Sequence, residues 1–199
     1  MIRSLLIDIK KIIFSYSMGT PAYGYATCLL RKDFMDSMIP SELHTDPRIM
    51  TLNGHENDTN RLYFWQLYSL LGEERITQLI TQFYELIFDD KETFFSDTFK
   101  KLGTLDHHIT GQTNFWLDAM GGGKRYPGGE HKLKRHHYLA KQIMNEKGAR
   151  RWLLHMKSTL NSVISSNFTT DDRVKPCIVD FINFFMKKYG DEFNFHSRL

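Results

Sequence analysis

A chain of 199 residues, 41% hydrophobic and 14% aromatic with fifteen phenylalanines, is long enough to bury a core without disulfide or metal staples. A formal charge of +3 is too small to mark a nucleic-acid-binding surface. Cys28 and Cys177 match no zinc or redox spacing, no apolar run reaches a membrane-spanning length, and Asp8, Lys10 and Lys11 interrupt any secretory signal, so the cytoplasm is the expected compartment, with organellar targeting left open.

In chain order, residues 2–14 place apolar groups at 2, 5, 6, 9, 12 and 13, the spacing of an amphipathic helix expected to pack on the main domain. Residues 15–60 are punctuated by Gly19, Pro21, Gly24, Pro40, Pro47 and Gly54 and read as irregular. Residues 1–60 are thus expected to form an N-terminal extension, followed by a helical domain over 61–190 and a tail over 191–199. Apolar positions 76, 79, 80, 83, 84, 86 and 87 give a broad face to a helix over 75–88. Residues 89–106 read as broken and polar around Phe94, Phe95 and Phe99. A second helix over 107–120 ends at the triple glycine 121–123, and the glycine-rich stretch to residue 130 reads as a flexible loop. A third helix spans 146–164, with Trp152, Leu153, Met156, Leu160 and Val163 on its apolar face. A fourth spans 169–190, opening on the cap-like Thr169-Thr170-Asp171-Asp172 and closing at Gly190. Pro176 either sits in its first turns or marks where its regular part begins. No segment alternates well enough to be a strand, and there is no internal repeat. The fold class is all-α, and helical domains often place ligand sites between facing helices.

The stretch EHKLKRHHYLAKQ (130–142) carries three histidines and four basic residues. Adjacent side chains on a helix point about 100° apart, so at most one of His136 and His137 faces an interior. His108 and Gln112 lie four apart, on one face of the second helix. Tyr84 sits beside Phe83 on an apolar face, and Trp152 lies near the start of the third helix. Each residue taken alone also has an ordinary packing or solvent-facing role.

Together, the segments QFYELIFDD, NFWLDAMGGGKRY, HKLKRHH and RRWLLHMKSTL, in that order and approximate spacing, resemble the truncated (two-over-two) haemoglobins over residues 63–188, most nearly their second group. The resemblance implies a globin-like two-over-two helical sandwich, with helix pair 75–88/107–120 over pair 150–164/169–188 and haem b (iron protoporphyrin IX) held between them. Globin iron is held by a proximal histidine. The family's Leu-x-x-x-His pattern, counted from Leu133, places that ligand at His137 rather than His136. Two departures affect the register: Trp152 lies fifteen residues beyond His137, one or two more than is usual, and Glu130-His131-Lys132 replaces the family's Gly-His-Pro.

The same resemblance implies a distal face of Tyr84, Gln112, Trp152 and His108. Phenol, amide and indole groups are all donors. A dioxygen ligand carries partial negative charge on its outer oxygen, so donors aimed there in a dry pocket stabilise it. At about 1 kcal/mol each, two or three would slow its escape roughly tenfold to several hundredfold. His108 would either add a donor or bind iron in the gas-free state, and His107 would exchange with it if the helix register slipped by one. Phe99, with Phe95 as the alternative, would wedge the haem. Phe83, Phe115, Trp116, Leu139 and Met156 would form pocket walls. In the basic cluster Lys124, Arg125, Lys132, Lys134 and Arg135, the choices to meet the propionates are Arg125 and Arg135, with Tyr126.

The expected ligands are O2, NO and CO. The expected roles are reversible oxygen binding or redox chemistry such as NO dioxygenation or weak peroxidation, served by an electron-donating reductase, in a monomer or homodimer. A second reading keeps the fold but not the haem and makes the chain a regulatory or interaction module. A third, a non-haem metal site on His107, His108, Glu130, His131, His136 and His137, matches no known ligand spacing.

Overall fold

The computed structural model describes residues 62, 64–122, 125–127, 135, 138–165, 168–196, 198 and 199. The expected helix over 2–14 and the boundary near residue 60 lie outside these. A 3-10 turn over Phe64–Gln66 leads into α1 (Leu67–Phe88), followed by α2 (Thr93–Leu102), α3 (Leu105–Ala119), α4 (Glu146–Ser165) and α5 (Val174–Phe193). Among the described residues there is no strand, and no helix is long and apolar enough to cross a membrane.

Each long helix forms around a stripe that must leave water. In α4 the buried apolar set is Ala149, Leu153, Met156, Leu160 and Val163, and in α5 it is Val174, Cys177, Ile178, Phe181, Ile182, Phe185, Met186 and Tyr189. These steps of three and four keep one face inward. Each large side chain so buried contributes about 1.5–3 kcal/mol. Asn145 starts α4 by accepting the Gly148 N–H at 2.9 Å, and Thr104 starts α3 by accepting the His107 N–H at 3.2 Å.

Three boundaries differ from the sequence expectations. The segment 89–106 is not broken throughout. It contains α2, a short helix that buries Phe95, Ser96 and Phe99 while Thr93, Asp97, Lys100 and Lys101 face water. Ten residues are too few for a stable isolated helix, so packing of two phenylalanines decides it. The last helix begins at Val174 rather than 169. Thr169 and Asp171 use their side chains on the N–H groups of Asp171 and Arg173 in a turn. Pro176 then falls in the first turn, where no intrahelical N–H is lost. The first helix starts earlier, at Leu67, but is interrupted at Gly72 (φ 72°, ψ 171°), a conformation open essentially to glycine alone. Glu73 and Glu74 open the turn after the break, where the helix dipole favours acids.

The helices pair as two antiparallel couples. Tyr68 N–H donates to Met120 C=O at one end of α1–α3, while Phe88 meets His108 at the other. Lys175 at the start of α5 bonds Asn161 near the end of α4, and His196 beyond α5 reaches Glu146 at the start of α4. Ahead of α1, Phe64 stacks on Phe181 of α5 at 3.7 Å and meets Trp116 of α3 edge-on at 6.0 Å, joining the couples. The fold is all-α and globin-like.

Candidate haem cleft

Between the couples lies a partly open cleft of about 220 Å³. α1 contributes Tyr84, α2 contributes Phe99 and Leu102, and α3 contributes His107, His108, Gly111, Gln112, Phe115 and Trp116. Tyr126, Arg135, Leu139, Ala140, Ile143 and Met144 form another wall, Trp152 comes from α4, and α5 supplies Phe181, Ile182, Phe185, Met186 and Tyr189.

The polar members cluster among apolar walls. Tyr84 is buried, and burial pushes its phenol well above the usual tyrosine range, so it stays a neutral O–H. Its ring stacks on His108 (5.3 Å, 16°) and meets Phe99 edge-on at 6.2 Å. His108 Nε2 lies 2.9 Å from the Phe99 carbonyl, which only accepts, so that nitrogen carries the proton. Burial holds His108 below the ordinary histidine pKa, outweighing the hydrogen bond, and the ring is neutral at physiological pH. In this conformation the one N–H of the neutral ring is spent on the Phe99 carbonyl and is not offered to a ligand in the cleft. His107 is exposed, so the two histidines have distinct environments. Trp152 lies edge-on to Phe83 at 4.8 Å, and Phe83 to Tyr84 at 5.2 Å.

The loop after α3 is pinned from below. Asp118, fully buried, accepts the Tyr126 N–H at 3.2 Å, and the Tyr126 ring meets Phe115 edge-on at 5.6 Å. Burial raises the Tyr126 phenol pKa, so it too is a neutral O–H.

Of the residues singled out in the sequence, the cleft brings together Tyr84, Phe99, His107, His108, Gln112, Phe115, Trp116, Tyr126, Arg135, Leu139 and Trp152. Phe99 rather than Phe95 reaches it; Phe95 sits behind, edge-on to Phe99 at 5.1 Å. Three expected lining residues do not reach it. Phe83 is buried behind Trp152, and Met156 is buried one helical turn further down the same face of α4. Arg125 turns to Glu73 (3.2 Å) and to the Gly122 carbonyl. His136 and His137, together with Lys124, Glu130, His131, Lys132 and Lys134, lie outside the described residues. Arg135 and Leu139, on either side of the doublet in sequence, both line the cleft.

The α5 wall was missed, although the FINFF run at 181–185 signals an aromatic-rich face. Also missed was a buried polar cluster next to the cleft. Asp90, whose side chain is fully buried, accepts Nε–H and Nη2–H of Arg151 at 2.6 Å each, Nε2–H of His155 at 2.5 Å and the Glu92 N–H at 2.9 Å. Although burial disfavours its charged form, these donors hold the Asp90 carboxyl well below the usual carboxylate range. The sequence signal was an Arg and a His four apart on one helix, facing an acid just past another helix's end.

The chemistry of this lining suits a haem. The walls are apolar and aromatic, as a flat macrocycle needs, neutral donors gather at Tyr84, Gln112 and Trp152, and Arg135 supplies a cation for a carboxylate. Among the described residues no group of three or more His, Cys, Asp or Glu side chains is arranged to hold a bare metal ion.

Similarity to known proteins covers most of the helical region that forms the cleft. Residues 66–187 match the family described as bacterial-like globin. The two-on-two hemoglobin-3 of Arabidopsis thaliana is 30% identical over 112 residues, covering 55% of this chain and 61% of that protein. The chain therefore spans less than two thirds of the length of that relative.

Proposed function

Because the chain belongs to the bacterial-like globin family, the truncated haemoglobins, a family that implies haem binding, we propose that it carries haem b in the cleft and reversibly binds dioxygen, NO and CO there. The segment pattern around MGGGKRY supports placement in the second group. Bound haem supplies an iron centre that takes diatomic ligands on its open side. His137 holds the iron from the proximal side; in sequence it lies between Arg135 and Leu139, which both line the cleft. Tyr84, Gln112 and Trp152 donate hydrogen bonds to the outer atom of the ligand. His108, neutral and tied to the Phe99 carbonyl, packs against the Tyr84 ring and limits its motion. Arg135 and Tyr126 meet the propionates, while Phe99, Phe115 and Leu139 exclude water.

The observation that carries this reading is the convergence of Tyr84, Gln112 and Trp152, from three different helices, on one apolar cleft. A donor-rich pocket retains oxygen, which suits NO or oxygen redox chemistry fed by a reductase better than bulk transport. The test is reconstitution with haem, followed by ferrous and carbon monoxide spectra of the wild type, His137→Ala and His136→Ala. Wild type and His136→Ala should give five-coordinate globin spectra, and His137→Ala should lose the proximal bond. A wild type that takes up no haem would defeat the proposal and leave a haem-less interaction module. An unchanged ferrous spectrum in His137→Ala would defeat the ligand assignment.

A further inference from the structure

Beside the cleft, the Asp90 cluster ties two helices together where two of the ligand-facing residues are mounted. Asp90 lies in the turn just after α1, six residues beyond Tyr84. Arg151 and His155 are one turn apart on α4, so both face Asp90 from one side of that helix. Trp152 follows Arg151 directly. On a helix the next side chain is rotated by about 100°, so fixing the direction of Arg151 fixes that of Trp152.

The geometry points to Asp90, Arg151 and His155 as a clamp of positioning residues that sets the rotation and height of α4 so that Trp152 faces the ligand beside Tyr84. This rests on the haem reading above. Three features separate a clamp from incidental polarity. The Arg151–Asp90 contact is bidentate, two parallel N–H···O bonds that fix orientation as well as distance. The His155 donor adds a second point on α4, so sliding or turning that helix breaks one bond or the other. A hydrophobic cluster of the same volume would hold the helices together without choosing a register, and register choice is the best-attested use of buried ionic groups. The clamp also reaches the opposite wall. His155 stacks on Phe95 (5.8 Å, 27°), which packs edge-on to the cleft residue Phe99.

The test compares Arg151→Met, which keeps an apolar stem but loses the fork, with His155→Ala, His155→Gln and Asp90→Asn. Trp152→Phe serves as the reference for loss of the indole donor. Leu160→Ala, in α4 but away from the cleft, serves as the control for destabilisation alone. Three quantities are read: the dioxygen dissociation rate, the C–O stretching frequency of the carbon monoxide form, and the near-UV circular dichroism of the haem-free protein.

Arg151→Met, Asp90→Asn and His155→Ala should raise the dissociation rate about three- to tenfold, the loss of roughly one hydrogen bond. They should also move the C–O stretch toward that of Trp152→Phe and alter the near-UV signal of the indole packed on Phe83. His155→Gln, which retains a donor at similar reach, should restore all three, and Leu160→Ala should leave the rate and the stretch at wild-type values. Wild-type rate and stretch in Arg151→Met and His155→Ala, alongside a changed Trp152→Phe, would overturn the clamp and leave the haem reading intact. Absence of haem uptake, or a Trp152→Phe variant identical to wild type, would count against the haem reading or the distal role of Trp152. The haem-free near-UV signal then decides the clamp, and an unaltered signal in Arg151→Met and His155→Ala rejects it.

Discussion

Replacing Asp90 with alanine removes the acceptor for four hydrogen bonds at once, three from side chains of α4 and one from the Glu92 N–H. Breaking a buried ion pair from one side costs about 3–5 kcal/mol, because the partner charge is left behind. One observation places this case at the lower end: the Arg151 side chain is 29% exposed and can turn its guanidinium to water. The expected loss is therefore about 3 kcal/mol for Asp90→Ala, or roughly 6–12 °C in Tm at about 2–4 °C per kcal/mol. Asp90→Asn, which keeps one acceptor oxygen, should lose about half as much.

The pH dependence has a definite sign. The folded-state pKa of Asp90 is lowered, so its stabilisation is fully present above the ordinary carboxylate value of 3.8 and is lost as pH falls from there toward the depressed folded value. The stability gap between wild type and Asp90→Ala should accordingly be constant between pH 5 and 7 and close only in stronger acid. Urea denaturation of the haem-free protein at several pH values measures it. A gap under about 0.5 kcal/mol at neutral pH, the size of an ordinary surface substitution, would refute the reasoning.

Gly148→Ala should cost at least about 2 kcal/mol, since a Cβ there would lie 1.8 Å from the Ile143 carbonyl oxygen and must displace the backbone at the start of α4; thermal unfolding checks this. Gly72→Ala should cost about 1–3 kcal/mol through its positive φ alone, because open space surrounds the added carbon; urea titration with an unchanged m-value is the expected signature. Met156→Ala should lose about 2–5 kcal/mol as a buried cavity yet leave the dioxygen dissociation rate near wild type, since Met156 sits behind the cleft rather than on it. Arg135→Ala should weaken haem retention several-fold in a transfer assay, whereas Arg125→Ala, whose guanidinium turns to Glu73, should not.

The long helices were legible in the sequence because their apolar residues recur at three and four. That period survives any tertiary context that offers an apolar surface, and α1, α3, α4 and α5 all follow it. The donor set Tyr84, Gln112 and Trp152, and the choice of His137, came from ordered segments that resemble a known family rather than from periodicity. Helix α2 was not legible, because two buried phenylalanines in ten residues specify a helix only when a core is present to receive them. Nor was the start of α5, where Thr169 and Asp171 spend their side chains on a turn instead of a cap. The roles of Arg125, Phe83 and Met156 depended on direction, since an arginine beside a glycine-rich loop has several carboxylates within reach and a residue on an apolar face can point at a cleft or past it.

By itself, then, the chain determined that it would fold as packed helices, since that follows from residue type and local spacing, while the side chains expected to meet a small ligand came from its resemblance to a family. Only the tertiary structure decided that His108 spends its Nε2 proton on the Phe99 carbonyl and that Asp90 joins Arg151 and His155 more than sixty residues away. Those pairings depend on how whole helices meet, and local spacing carries no record of that.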